Sequence, residues 1–181
     1  MEAVIVIDMI KDFVYGKFGG EGAQAIIDNL RNLLKEAEKR DIDIIYAEDL
    51  HSKDDPELDV WDEHAIEGTE GSQRIEELKD FEGETLKKST FDAFYDSSLE
   101  KLLEKNHTDK VILSGVSTDI CVQNTAAGAL YRGIDIVVLE DCTAAISEEK
   151  HEDSLEYMKT VFGANIITSK ELIKGWKKEN K

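Results

Sequence analysis

The sequence is short of the residues that mark secreted, membrane and multi-segment proteins. Two cysteines, Cys121 and Cys142, and one proline, Pro56, occur among 181 residues. Two thiols are too few for a disulfide framework and suit a reducing compartment, so a cytoplasmic protein is expected. With no Pro/Gly linker, repeat or low-complexity tract, residues 1–181 are expected to form one domain, long enough to bury a continuous core. No apolar run approaches the roughly 20 residues needed to cross a bilayer. The first residues, Met1 to Asp8, have neither the basic start nor the apolar length of a signal peptide. Basic residues are outnumbered: 22 Lys and Arg against 40 Asp and Glu give a formal net charge of −18. Such a surface repels phosphates and anionic lipids, so neither nucleic acid nor membrane is expected as a partner.

What is present is an alternation of β-branched runs and helical patterns. The runs are Ala3–Ile7, Ile42–Ala47, Glu84–Leu86, Val111–Leu113, Ile134–Leu139 and Asn165–Ile167. The helical patterns are Gln24–Arg40, Ser98–Lys105, Asp119–Arg132 and Glu148–Val161, with Gly133 and Gly163 placed as C-terminal stops. Runs that are continuously apolar, not alternating, imply strands covered on both faces. The expected fold class is α/β, a three-layer α/β/α sandwich around a mainly parallel sheet of about six strands. One stretch departs from the alternation: from Glu48 to Ser72 the chain is polar and irregular, yet carries Trp61, His51 and His64. A connection of that length inside a compact domain is usually functional or disordered, and its Trp and His residues argue for function.

In open parallel sheets, ligands bind beyond the carboxyl ends of the strands. Asp8, Asp49-Leu-His51, Lys88 and Cys121 all fall at such ends. Cys121 follows an apolar run, Gly115 and the turn-like Ser117-Thr118-Asp119, so it is expected in the first turn of a helix capped by Thr118 or Asp119. The helix dipole there favours the thiolate, which is the nucleophile; the alternative is a small packed hydrophobe. A neighbouring carboxylate can take the thiol proton, a lysine can stabilise the anion, and turn N–H groups can hold an oxyanion. Asp8, Lys88 and Cys121 together therefore suit acyl transfer through a thioester. Cys142 has no C-x-x-C relation to Cys121 and is expected to pack, after the fifth strand. His107 and His151 are read as surface residues.

Asp49 and His51 alternate in extended chain and so point to one side, where a distant His64 can close a mononuclear site. Glu57 is a further oxygen donor. A mixed N/O set suits one divalent ion, zinc, manganese or iron, and the sequence does not choose among them.

Four segments together resemble the isochorismatase-like cysteine hydrolases, and within them the nicotinamidases. They are Val4-Ile-Val-Ile-Asp8-Met-Ile-Lys-Asp-Phe13, Trp61-Asp-Glu-His64-Ala-Ile-Glu-Gly68, Lys88-Ser-Thr-Phe91-Asp-Ala-Phe94 and Gly115-Val-Ser-Thr-Asp-Ile-Cys121-Val. The resemblance implies an Asp–Lys–Cys triad at Asp8, Lys88 and Cys121, the spacing to Phe91 and Phe94 choosing Lys88 over Lys87. It also implies a cis peptide between Val116 and Ser117, and an oxyanion site made by the Ser117 and Cys121 amides. Metal ligands would be Asp49, His51 and His64, with Glu57 as the fourth. Phe13 and Trp61 would wall the pocket, joined by Phe91 and Phe94, and relatives often form homo-oligomers. The implied reaction is hydrolysis of nicotinamide to nicotinate and ammonia, a step of NAD salvage. Trp61-Asp-Glu-His64-Ala departs from the nicotinamidase pattern, which commonly has prolines before the second histidine. Another amidase or a carbamoyl hydrolase is the main alternative, and a catalytically silent binding member of the fold a further one.

Overall fold

The computed structural model describes residues 1–179. Six strands form one sheet in the order β3-β2-β1-β4-β5-β6, all neighbours parallel. They are β1 Glu2–Ile7, β2 Asp43–Asp49, β3 Glu84–Lys88, β4 Lys110–Val116, β5 Asp135–Ala144 and β6 Asn165–Ile167. Among the described residues the α-helices are α1 Lys11–Val14, α2 Glu21–Ala25, α3 Ile27–Glu38, α4 Leu58–Trp61, α5 Leu99–Lys105, α6 Gln123–Tyr131, α7 Glu148–Val161 and α8 Ser169–Glu179. None is long and apolar enough to cross a membrane.

The apolar run of β1 is divided by the pleat. Val4 and Val6 face the layer of α1, α2, α3 and α8, while Ala3, Ile5 and Ile7 face α5, α6 and α7. Side chains that alternate in direction must both be apolar when both faces are covered. α3 shows the matching helical logic, with Ile27, Leu30, Leu33, Leu34 and Ala37 buried along one stripe. Each fully buried leucine there contributes about 1.5–3 kcal/mol of apolar transfer free energy.

Several elements differ from the sequence reading. The helix expected over Gln24–Arg40 is two, α2 and α3, separated at Ile26. β3 runs on to Lys88 and β2 to Asp49, so both residues lie within their strands' last positions instead of after them. β5 continues to Ala144, which puts Cys142 inside the strand, buried. α8 carries no β-branched run or glycine boundary to announce it, yet buries Ile173 and Trp176 against the α3 layer. Gly133 and Gly163 do end α6 and α7 with positive φ, +67° and +69°.

From β1 the chain moves outward to β2 and β3, then returns to lay β4 on the other side of β1. The order therefore reverses between β1 and β4, where a crevice opens at the carboxyl edge. Gly115 is needed at this point. Its φ is +102°, and a Cβ there would lie 2.0 Å from the Ile7 carbonyl oxygen. Its glycine lets β4 close on β1 just before the chain turns into the Cys121 segment.

Candidate active site

Asp8 ends β1 in the left-handed region, φ 53°, with its amide on the Ala47 carbonyl and its carbonyl accepting from Ile10. Aspartate tolerates this conformation better than most residues, and the sharp turn directs its carboxylate across the strand ends. Lys88, from the edge strand, reaches the same point: its Nζ lies 2.7 Å from Asp8 Oδ2, 2.5 Å from Asp49 Oδ1 and 3.7 Å from Cys121 Sγ. All four side chains are buried, Asp8 completely. Asp49 also donates its amide to Asp8 Oδ1 at 2.8 Å. Lys87 points outward, with its Nζ 3.8 Å from Glu67.

Cys121 departs from the expected setting. The segment Thr118–Val122 is a turn of π-helix ahead of α6, and neither Thr118 nor Asp119 caps it. The Thr118 hydroxyl instead bonds His151, and Asp119 accepts from the Ser117 hydroxyl at 2.6 Å. The expected thiolate-favouring shift is also reversed. Burial pushes the thiol pKa well up, Lys88 opposes this, and the Asp8 and Asp49 charges add to the rise. A thiol kept protonated needs a base beside it. A ligand atom of Asp8 lies within 4.8 Å of Cys121 Sγ, and burial with the Asp49 charge raises the Asp8 pKa to about 7 despite Lys88. For Lys88, burial pulls the pKa down but Asp8, the thiol and Asp49 outweigh it, so the ammonium stays charged.

The peptide between Val116 and Ser117 is cis. Ser117 and Cys121 both line a cavity of about 450 Å³ that Asp8 also lines. Phe13, Trp61 and Phe91 line it. Phe94 does not: it is buried among α5 and α6 residues, because Asp92 and Gly128 fold that segment inward. Phe18 takes the place on the wall, with its ring 5.3 Å from His64 and 6.2 Å from Trp61. Phe18 sits in a glycine-rich turn, and only that unusual placement of an aromatic residue could have singled it out.

The second constellation adjoins the first through Asp49. Asp49, His51, Glu57 and His64 each offer a donor atom, all within 4.8 Å of one another. His51 Nδ1 pairs with Asp55 Oδ2 at 3.1 Å and His64 Nδ1 with the Asp62 carbonyl at 2.8 Å. Both outer nitrogens are thus engaged, which turns the Nε2 atoms inward. The buried His51 Nε2 has no hydrogen-bond partner. A buried, unpartnered imidazole nitrogen facing two carboxylates and a second imidazole fits a divalent cation. The loop is also braced by a residue to which the sequence assigned no role. Asp12 Oδ2 accepts from the Ala65 amide at 2.9 Å, next to His64, and Gly71 leaves room for that carboxylate. His151, read as surface, is buried; His107 is exposed.

Comparison with known proteins adds a frame to this geometry. The isochorismatase domain family matches residues 2–171. The chain belongs to the isochorismatase family. Among solved structures, it is similar to the N-carbamoylsarcosine amidase of Thermoplasma acidophilum, at 34% identity and TM-score 0.87 over 93% of this chain and 96% of that one. It is similar to the nicotinamidase PncA of Bacillus subtilis, at 30% identity and TM-score 0.88 over 92% and 98%. The pyrazinamidase of Pyrococcus horikoshii in complex with zinc is 26% identical, with TM-score 0.86 over 92% and 98%.

Proposed function

We propose that this protein is a metal-assisted cysteine amidohydrolase that converts nicotinamide and water to nicotinate and ammonia, with residues 1–181 as one catalytic domain. The observation that carries this reading is the lining of one cavity: Cys121 and Asp8, the adjoining donors Asp49, Glu57 and His64, and the aromatic side chains Phe13, Phe18 and Trp61. A flat ring bearing an amide could meet sulfur, donor atoms and aromatic side chains in that one cavity.

As sulfur attacks the amide carbon, Asp8 takes the Cys121 proton. The carbonyl electron pair moves onto oxygen, where the Ser117 and Cys121 amides receive it. The C–N bond then breaks, and Asp8 returns the proton to nitrogen, which leaves as ammonia. Water, giving its proton to Asp8, adds to the thioester; the C–S bond breaks and the thiol is restored. A carboxyl with a pKa near 7 is matched to taking and returning a proton near neutral pH. Lys88 holds the anionic cluster together and offsets charge on sulfur. A bound divalent ion, zinc, manganese or iron, supplies a Lewis acid that can take the pyridine nitrogen. Asp49, His51 and His64, with Glu57, would hold it.

A carbamoyl hydrolase is the second reading, supported by the 34% identical N-carbamoylsarcosine amidase. A substrate with a free carboxylate asks for a cation. Among the described residues lining the cavity, the one lysine is Lys150, 3.7 Å from Asp119 at the rim. The aromatic wall favours a flat ring. Ammonia release from nicotinamide, pyrazinamide and N-carbamoyl amino acids, each with and without chelator, separates the two. Chelator-sensitive nicotinamide turnover is expected; turnover confined to carbamoyl substrates would overturn the reading.

A further inference from the structure

The Thr118 side chain is completely buried, and its hydroxyl lies 2.8 Å from Nδ1 of His151, which is buried as well. Thr118 begins the π turn that contains Cys121, and the turn folds back so that Ser117 accepts from the Ile120 and Val122 amides. His151 stands in the first turns of α7, a helix started by the Ser147 side chain capping the Lys150 amide. Its neighbour Lys150 pairs with Asp119, whose other oxygen accepts from Ser117. Two consecutive residues of α7 therefore grip two consecutive residues of the turn, one contact buried and one at the rim.

We propose that the buried His151–Thr118 pair is a positioning device, setting the π turn so that the Cys121 sulfur and the Ser117 and Cys121 amides meet one substrate carbonyl. This rests on the amide-hydrolase reading above. A mutually satisfied buried pair adds little to stability, since replacing both partners with apolar groups of like shape can be nearly neutral. Its use is geometric. Threonine is stiff at χ1, so fixing its oxygen fixes the backbone that carries it. The turn's contacts with Lys150 and Asn124 involve exposed side chains, whereas the Thr118–His151 contact is buried.

The test is a double-mutant cycle on the metal-loaded enzyme, using Thr118→Val, His151→Leu and the two combined, with melting temperature, kcat and KM read for each. Misplacing reacting groups by about 1 Å can lower rate by about a hundredfold. Each single variant is therefore expected to lose about ten- to a hundredfold in kcat with KM little changed, and to melt earlier. The double variant should recover melting temperature but not kcat, and Thr118→Ser, which keeps the hydroxyl, should retain most of kcat. Recovery of kcat together with stability in the double variant would overturn the proposal, as would single variants with wild-type kcat. If a single variant fails to fold, the double and Thr118→Ser still decide. Wild-type protein inactive on every amide would instead count against the functional reading beneath it.

Discussion

Lys88→Met removes the one cation held between two buried carboxylates and keeps most of the side chain's volume. The ammonium is 2.7 Å from Asp8 and 2.5 Å from Asp49, all three groups being buried. Without it, two carboxylates linked through the Asp49 amide face each other with only His51, 3.7 Å from Asp49, as counter-charge. Removing one partner of a buried ion pair costs about 3–5 kcal/mol, because the desolvation cost of the remaining charge is no longer offset. Against a total stability of about 5–15 kcal/mol for a domain, that is a large fraction. Urea unfolding of the metal-free proteins reads it as a lower midpoint at unchanged slope. Adding Asp8→Asn should return a good part of the loss by removing one of the two facing charges. Adding a divalent ion should stabilise Lys88→Met more than the wild type, since the ion would neutralise Asp49. A loss under about 1 kcal/mol, with no recovery from Asp8→Asn, would refute the claim that Lys88 balances these carboxylates.

Cys121→Ala should abolish ammonia release while leaving the far-ultraviolet spectrum and the metal stoichiometry unchanged; measurable turnover would remove sulfur from the mechanism. Asp12→Ala frees the Ala65 amide beside His64 and should weaken metal affinity about ten- to a hundredfold, as loss of outer support to a ligand does, measured by competition with a chromogenic chelator. Glu36 has its pKa lowered from 4.5 to about 2, chiefly by its hydrogen bond to Lys39 and also by Arg40. Its contribution to stability is thus complete above pH 4.5 and disappears as pH falls through about 2, so Glu36→Gln should flatten acid unfolding across that window.

The layers of the fold were legible because the pattern that encodes them is local. An unbroken apolar run such as Val4 to Ile7 has one good solution, a strand covered on both faces. Asp8, Asp49, Lys88 and Cys121 were legible as a group because strand ends of a parallel sheet share one edge, so one-dimensional position translates into proximity. What the sequence hid depends on contacts distant in the chain. The π turn at Thr118 relies on His151, and nothing near His151 distinguishes it from a surface histidine on a charged helix. Phe94 turns inward because Gly128 leaves room beside it, whereas Phe18 turns to the cavity from a glycine-rich loop with no period to read. The direction of the Cys121 shift was missed for the same reason. Helix position can be read from sequence, but the depth of burial and the two carboxylates come only with the fold.

The central claim is that amide cleavage passes through a thioester on Cys121, and rapid quenching followed by mass spectrometry tests it most directly. Metal-loaded enzyme mixed with nicotinamide and quenched in acid during turnover should carry one nicotinoyl group on the peptide containing Cys121. The adduct should be absent from Cys121→Ala and should disappear as substrate is exhausted. Steady ammonia release with no acyl group on Cys121 at any quench time, or an adduct on another residue, would contradict the account.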